Sequence, residues 1–213
     1  MSKMNLPNKL TVLRMCLVPV ILLVGFLTPK SADTLWFYVS SAICAAIFII
    51  ASVTDMLDGK IARRDGLITD FGKFMDPVAD KFMVIGALFV ILYKFPHLNI
   101  LMMATLIIVV FRELAVTSMR LVVSSGNNIV VAANMLGKIK TVTQIVAIAT
   151  VFLEPVVQYV ARLIVGAIVG ETLVWRTDII PLTWASLALS IVMTVWSGVN
   201  YIAAYWKYID TDK

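Results

Sequence analysis

The chain has 213 residues, 61% of them hydrophobic and 15% charged, with a mean hydropathy of +0.94, a balance that excludes an ordinary soluble domain and identifies an integral membrane protein. The formal net charge of +5 does not by itself imply nucleic acid, because a basic surface at a membrane attracts anionic lipid headgroups equally well.

In chain order, Asn5-Leu-Pro7-Asn8-Lys9-Leu-Thr11 combines cap-type residues with a proline near a helix start and predicts a short juxtamembrane helix that turns into the first span. Apolar runs follow at 10–28, 35–54, 77–93, 98–122, 139–169 and 182–206. Each is long enough to cross a hydrocarbon core that needs roughly 20 helical residues. The expected fold is an all-α integral membrane bundle of six transmembrane helices, with residues 1–213 as a single domain. The first run carries Arg14 and lacks a small-residue cleavage site, so it is read as a retained helix and not a cleaved signal peptide. Arg14 is expected to snorkel to the headgroups. Arg64-Asp65-Gly66 ends the second helix, and Thr69 or Asp70 caps the third. Ser124-Ser125-Gly126-Asn127-Asn128 breaks the connection between the fourth and fifth helices. Glu154-Pro155 interrupts the fifth run, as a kink or as a division into two helices. Cys16 and Cys44 read as buried small hydrophobes, His97 as an interfacial turn residue, and the Met and Trp residues as lipid-facing packing and interfacial belts.

Sorting the cations by loop gives the orientation. Lys3, Lys9 and Arg14 fall at the N-terminus, Lys60, Arg63, Arg64, Lys73 and Lys81 between helices 2 and 3, Arg112, Arg120, Lys138 and Lys140 between helices 4 and 5, and Lys207 and Lys213 at the end. Only Lys30, Lys94, Arg162 and Arg176 fall on the other side. By the positive-inside rule both termini are cytoplasmic, in agreement with an even number of spans.

On that cytoplasmic side lie Asp55-Met-Leu-Asp58-Gly59-Lys-Ile-Ala62-Arg63 and Gly72-Lys-Phe-Met-Asp76-Pro-Val-Ala-Asp80. Ionisable groups inside a membrane are costly and mark function. At about 100° per residue, Asp58 lies about 60° behind Asp55, Ala62 falls between them, and Gly59 and Arg63 lie on the other flank. Asp76 and Asp80 are one turn apart on the next helix. Four converging carboxylates repel unless neutralised, and an oxygen-only set suits one or two divalent cations, Mg²⁺ or Mn²⁺. Small residues at 59 and 62 let a planar base or a diphosphate approach the backbone, and Arg63 can grip phosphate oxygens in a fork.

The pattern Asp55-x2-Asp58-Gly59-x2-Ala62-Arg63-x8-Gly72-x3-Asp76-x3-Asp80 resembles, at every defined position, the signature of the CDP-alcohol phosphotransferases. The resemblance implies a six-helix membrane fold, usually homodimeric, in which the Asp residues hold two divalent metals beneath a CDP-linked lipid. An alcohol then attacks the β-phosphorus and CMP leaves. Carried over by position, Asp55, Asp58 and Asp76 are metal ligands, and Asp80 is ligand or flank and general base. Asp58, Gly59, Ala62 and Arg63, with Asn8 and Thr11, are CDP-lipid contacts.

Phe111-Arg112-Glu113 through Arg120, and Leu136-Gly137-Lys138-Ile139-Lys140, bring four cations to the Asp side, enough for a dianionic phosphate. These segments, with the N-terminal motif and Trp196-Ser-Gly198, resemble the bacterial, phosphatidylglycerophosphate-forming branch, whose acceptor is sn-glycerol 3-phosphate. Arg112, Arg120, Lys138 and Lys140 are therefore the expected acceptor contacts, although ordinary positive-inside topology also accounts for basic residues there. Lys60, Arg64, Lys73 and Lys81 are expected to be solvated. The stretch 154–181 is longer and more apolar than that branch leads one to expect. The function so implied is phosphatidyl transfer from CDP-diacylglycerol to glycerol 3-phosphate in the bacterial inner membrane. The alternatives are a synthase of the same family with another acceptor, giving cardiolipin, phosphatidylserine or phosphatidylinositol phosphate, or a divalent-cation transporter.

Overall fold

A computed structural model describes residues 5–28, 34–67, 69–127, 135–169 and 180–208. Among these residues there are six long helices and no strand. They are α1 (Leu6–Leu27), α2 (Leu35–Arg64), α3 (Asp70–Lys94), α4 (Asn99–Asn127), α5 (Met135–Val169) and α6 (Pro181–Tyr205). Single 3₁₀ turns at Pro96–Leu98 and Trp206–Tyr208 complete the described elements. All but α3 are long and apolar enough to cross a membrane. The third helix is more highly charged because Asp76, Asp80 and Lys81 lie in it. Its 25 residues still reach about 37 Å, more than the roughly 30 Å of a hydrocarbon core, and it packs along α1 inside the bundle.

Local chemistry sets the helix ends. Asn5 caps α1, its side-chain oxygen accepting from the Asn8 N–H at 3.1 Å, and Pro7 occupies the first turn, where its missing N–H costs nothing. The N-terminal motif therefore opens α1 directly, as one continuous helix, where a separate surface helix was expected. At the end of α2 the Asp65 N–H returns to the Ile61 carbonyl, and Gly66 follows at φ 65°, a left-handed conformation that L side chains rarely adopt. Arg64 forks onto Asp65 at 2.7 and 3.2 Å, and that hydrogen bond holds the Asp65 carboxyl below its usual range. Thr69 caps α3 by accepting from the Gly72 N–H. The fourth helix runs through Ser124 to Asn127 before the connection to α5.

The fifth helix passes Glu154-Pro155 without dividing. Glu154 serves a structural purpose. Its two carboxylate oxygens accept the backbone N–H groups of Leu182 (3.2 Å) and Thr183 (2.7 Å), capping the first turn of α6 and facing the positive end of its dipole. At 1.5 Å per residue, Glu154 lies about 29 Å from the start of α5, close to one membrane thickness. The helical residues 155–169 extend beyond it and account for part of the long 154–181 stretch, of which 170–179 lie outside the described residues.

The main core is a cluster dominated by α1, α2, α3 and α5, in which Phe48, Phe95, Met102 and Phe152 are fully buried, and a smaller second cluster joins Val116, Met119 and Val123 of α4 to Tyr201 of α6. Helix pairs α1 with α3, α1 with α2, α2 with α5, α5 with α6, and α4 with α6 make the main contacts. Trp36, Trp184, Trp196 and Trp206 lie on the outside, as a lipid-facing belt requires. Cys44 is buried as expected, whereas Cys16 faces outward on α1. Lys94 is not a free surface charge. It is fully buried at the C-terminal end of α3, donating to Ser40 Oγ at 2.5 Å and Thr28 Oγ1 at 3.3 Å beneath the Phe37 ring.

Candidate active site

One face of α1 organises the acidic cluster. Pro7, Asn8, Thr11, Arg14, Val18, Ile21 and Gly25 recur at three- and four-residue steps and are the buried stripe of that helix. Its polar members meet the two Asp segments. Arg14 Nη1 reaches Oδ1 of Asp55 and Oδ1 of Asp80, and Nη2 reaches Oδ2 of Asp58, each at 2.5 Å. Thr11 Oγ1 donates to Asp76 Oδ1 at 2.7 Å and to the Pro7 carbonyl at 3.1 Å. Asn8 accepts from the Thr69 hydroxyl at 3.0 Å, tying the start of α1 to the cap of α3. Two residues of one helix thus partner all four signature carboxylates, which come from α2 and α3.

The snorkelling expected of Arg14 does not occur. Its side chain is 0% exposed, while those of Asp58, Asp55 and Asp80 are 5, 35 and 49% exposed. Sequence reading missed this partner because a single Arg in the first helix looks the same whether it points to headgroups or inward. Its position three residues after Thr11 and six after Asn8, on the same stripe, was the available signal.

Asp55 and Asp80 open into a cavity of about 700 Å³ between α2, α3, α4, α5 and α6. Its polar lining also includes Ser52, Arg112, Arg120, Lys138, Thr141, Ser197 and Tyr201. Two of the four carboxylates, Asp55 and Asp80, and three of the four cations singled out in sequence therefore share one chamber. Lys140 does not line it. It is buried against Glu113 Oε1, which also accepts from Arg112 Nη1 at 3.0 Å. Arg112 is further anchored by Ser197 Oγ at 2.8 Å. One carboxylate thereby holds two cations, fixing Arg112 in the cavity wall with Nε lacking a partner among the described residues. Ser197 entered the sequence reading only within the Trp196-Ser-Gly198 motif, with no site role, and Tyr201, one turn further along α6, escaped it, since polar tips in an apolar helix give no local sign of what they face. Gly59 lies half-buried on α2 directly after Asp58, as its position in the motif requires. Ala62 and Arg63 occupy the last turns of α2, and their side chains lie outside the described residues. Lys73 pairs with Asp70 at 3.0 Å on the surface, and Lys81 donates to Thr117 at 2.6 Å.

Among the described residues no three His, Cys, Asp or Glu side chains close around one point as a preformed metal cage. Three of the carboxylates are instead turned onto Arg14. The donor chemistry nevertheless fits hard divalent cations: every group is a carboxylate oxygen, and one guanidinium cannot neutralise four of them.

The described residues form a helical membrane bundle whose acidic cluster opens into a chamber lined by cations, an arrangement suited to anionic, phosphate-bearing ligands. The chain matches the CDP-alcohol phosphatidyltransferase family over residues 4–196, and it belongs to that family. It is 37% identical to a CDP-diacylglycerol–glycerol-3-phosphate 3-phosphatidyltransferase of Bacillus subtilis, the alignment covering 97% of this chain and 98% of that one. Proteins of the same name from Yersinia enterocolitica (33% identity; 96 and 97% coverage) and Sodalis glossinidius (33%; 95 and 95%) are similar along nearly their whole length. The protein is therefore a multi-pass membrane transferase, and the transporter alternative falls away.

Proposed function

We propose that this enzyme transfers a phosphatidyl group from CDP-diacylglycerol to sn-glycerol 3-phosphate, releasing CMP. The observation that carries the reading is the single cavity whose wall joins Asp55 and Asp80 to Arg112, Arg120 and Lys138. The relatives' names, which state this donor and this acceptor, support it.

In this reading the three cations hold the acceptor's phosphate, since charge-assisted hydrogen bonds are the economical way to keep a dianion at a membrane face. The acceptor hydroxyl oxygen forms a bond to the β-phosphorus of the donor. The bond from that phosphorus to the oxygen of CMP breaks, CMP departs with the electron pair, and the hydroxyl proton passes to Asp80, whose half-exposed carboxylate borders the same cavity. Asp58, Gly59, Ala62 and Arg63, with Asn8 and Thr11, form the donor side. Asp55, Asp58, Asp76 and Asp80 would hold two divalent cations, Mg²⁺ or Mn²⁺, which when bound offset the diphosphate charge and polarise its oxygens. We further place the enzyme in the bacterial inner membrane as a single-domain homodimer with the cluster facing the cytoplasm. The charge asymmetry of the loops supports the orientation, and the family resemblance supports the dimer.

Purified protein supplied with CDP-diacylglycerol, Mg²⁺ and a panel of alcohols should release CMP with glycerol 3-phosphate. Release only with serine, an inositol phosphate or phosphatidylglycerol would assign a different acceptor.

A further inference from the structure

We propose that Arg14 is an internal counter-cation: in the metal-free protein it holds Asp55, Asp58 and Asp80 together, and it competes with divalent cations for the same carboxylate oxygens. The inference rests on the metal reading above and deepens it.

The geometry is that of a charge neutraliser and not of an optimised ion pair. A guanidinium binding one carboxylate ordinarily offers two parallel N–H groups. Here Nη1 is divided between Asp55 and Asp80, Nη2 goes to Asp58, and buried Nε has no partner among the described residues. Three carboxylates from two helices are gathered onto one cation, with Asp76 close by on Thr11. Without Arg14 those carboxylates would repel at the junction of α2 and α3, where Asp58 is almost completely enclosed. With Arg14 alone, the cluster still carries a negative surplus. Asp55 and Asp80 are the exposed members, so a cation arriving through the cavity meets first the two carboxylates that share Nη1. Each charge added by such an ion weakens the hold of Arg14, and Arg14 in turn raises the free energy of the bound ion.

The test uses the full chain in detergent, stripped with chelator or saturated with Mn²⁺, and reads thermal midpoint and Mn²⁺ affinity by electron paramagnetic resonance of the free ion. Wild type should bind Mn²⁺ and gain stability; absence of both effects would remove the metal reading itself. Arg14→Gln should melt well below wild type without metal, recover most of that deficit in saturating Mn²⁺, and bind Mn²⁺ about tenfold more tightly. Arg14→Lys, which keeps the charge, should lie between the two in both measurements. A deficit of equal size with and without Mn²⁺, or an unchanged affinity in Arg14→Gln while wild type binds normally, would make Arg14 a plain structural pillar and overturn the proposal. If Arg14→Gln can be purified only when Mn²⁺ is present throughout, the proposal is supported; failure in both conditions overturns it.

Discussion

Tyr201 places a buried hydroxyl in the wall of the cavity, one turn after Ser197, with no hydrogen-bond partner among the described residues. A buried unpaired O–H costs about 1–3 kcal/mol, so a substrate oxygen arriving there gains a donor already desolvated and held by the Tyr205 ring at 4.9 Å. Tyr201→Phe keeps the ring and removes only the hydroxyl. It should raise the KM for glycerol 3-phosphate about three- to tenfold while leaving the KM for CDP-diacylglycerol unchanged. Equal increases for both substrates, or none, would show that the hydroxyl does not meet the acceptor. Residues of this kind divide the site into what sequence discloses and what it does not. The Asp positions were legible because their chemistry is local: two helical turns fix which carboxylates share a face, and nothing else explains so many acids in a membrane. Arg112 was legible, with Arg120 and Lys138, as one of the cations brought to the Asp side. The pairing of Lys140 with Glu113 and the place of Tyr201 depend on helices distant in the chain, and no short-range spacing encodes them, whereas the burial of Arg14 had only its place on the α1 stripe with Asn8 and Thr11 to announce it.

The contact between α1 and α3 sets how near Thr11 and Arg14 come to Asp76 and Asp80. At Gly25 a Cβ atom would lie 2.2 Å from Cγ1 of Val90, a fully buried, β-branched side chain with little rotamer freedom. Gly25→Ala should therefore force the helices apart and cost about 1–3 kcal/mol of stability, seen as a lower thermal midpoint in detergent. Pairing it with Val90→Ala removes the obstructing methyl groups, and the double variant should recover part of the loss. A Gly25→Ala protein that melts with wild type would mean that the helices are not held so closely. At this scale most of the fold could be read in advance. Hydropathy located every helix, and Thr69 was one of the two caps offered for α3, whereas the cap residues at Asn5, expected to open a separate surface helix, open α1 itself. Two features were not legible. Pro155 left a kink and a division both open, and α5 continues through it as one helix, while Glu154 beside it caps α6, a role set by the return of the chain after α5 and not by the Glu-Pro dipeptide itself.

Across the whole molecule the cations are sorted by end. The start of α1, the end of α2, the start of α3, the end of α4, the start of α5 and the end of α6 meet at the acidic cluster and cavity, and they carry Lys9, Arg14, Lys60, Arg63, Arg64, Lys73, Lys81, Arg112, Arg120, Lys138, Lys140 and Lys207. At the opposite end the described residues offer Lys94 and Arg162, and Lys94 is engaged internally by Ser40, Thr28 and Phe37. Arg14, Arg112 and Lys140 at the cluster end are engaged internally as well, and the excess of cations at that end supports, by the positive-inside rule, the cytoplasmic orientation proposed for the cluster. That side also suits the chemistry, because a phosphorylated, charged acceptor does not cross a hydrocarbon core unaided. In a background with Cys16 and Cys44 replaced by alanine, Asp65→Cys marks the exposed turn at the cluster end and Asn99→Cys the exposed start of α4 at the other. A membrane-impermeant maleimide applied to intact spheroplasts should label Asn99→Cys alone, and after permeabilisation it should label both. Labelling of Asp65→Cys before permeabilisation would invert the orientation, and would require the acceptor to reach the cavity from outside the cell.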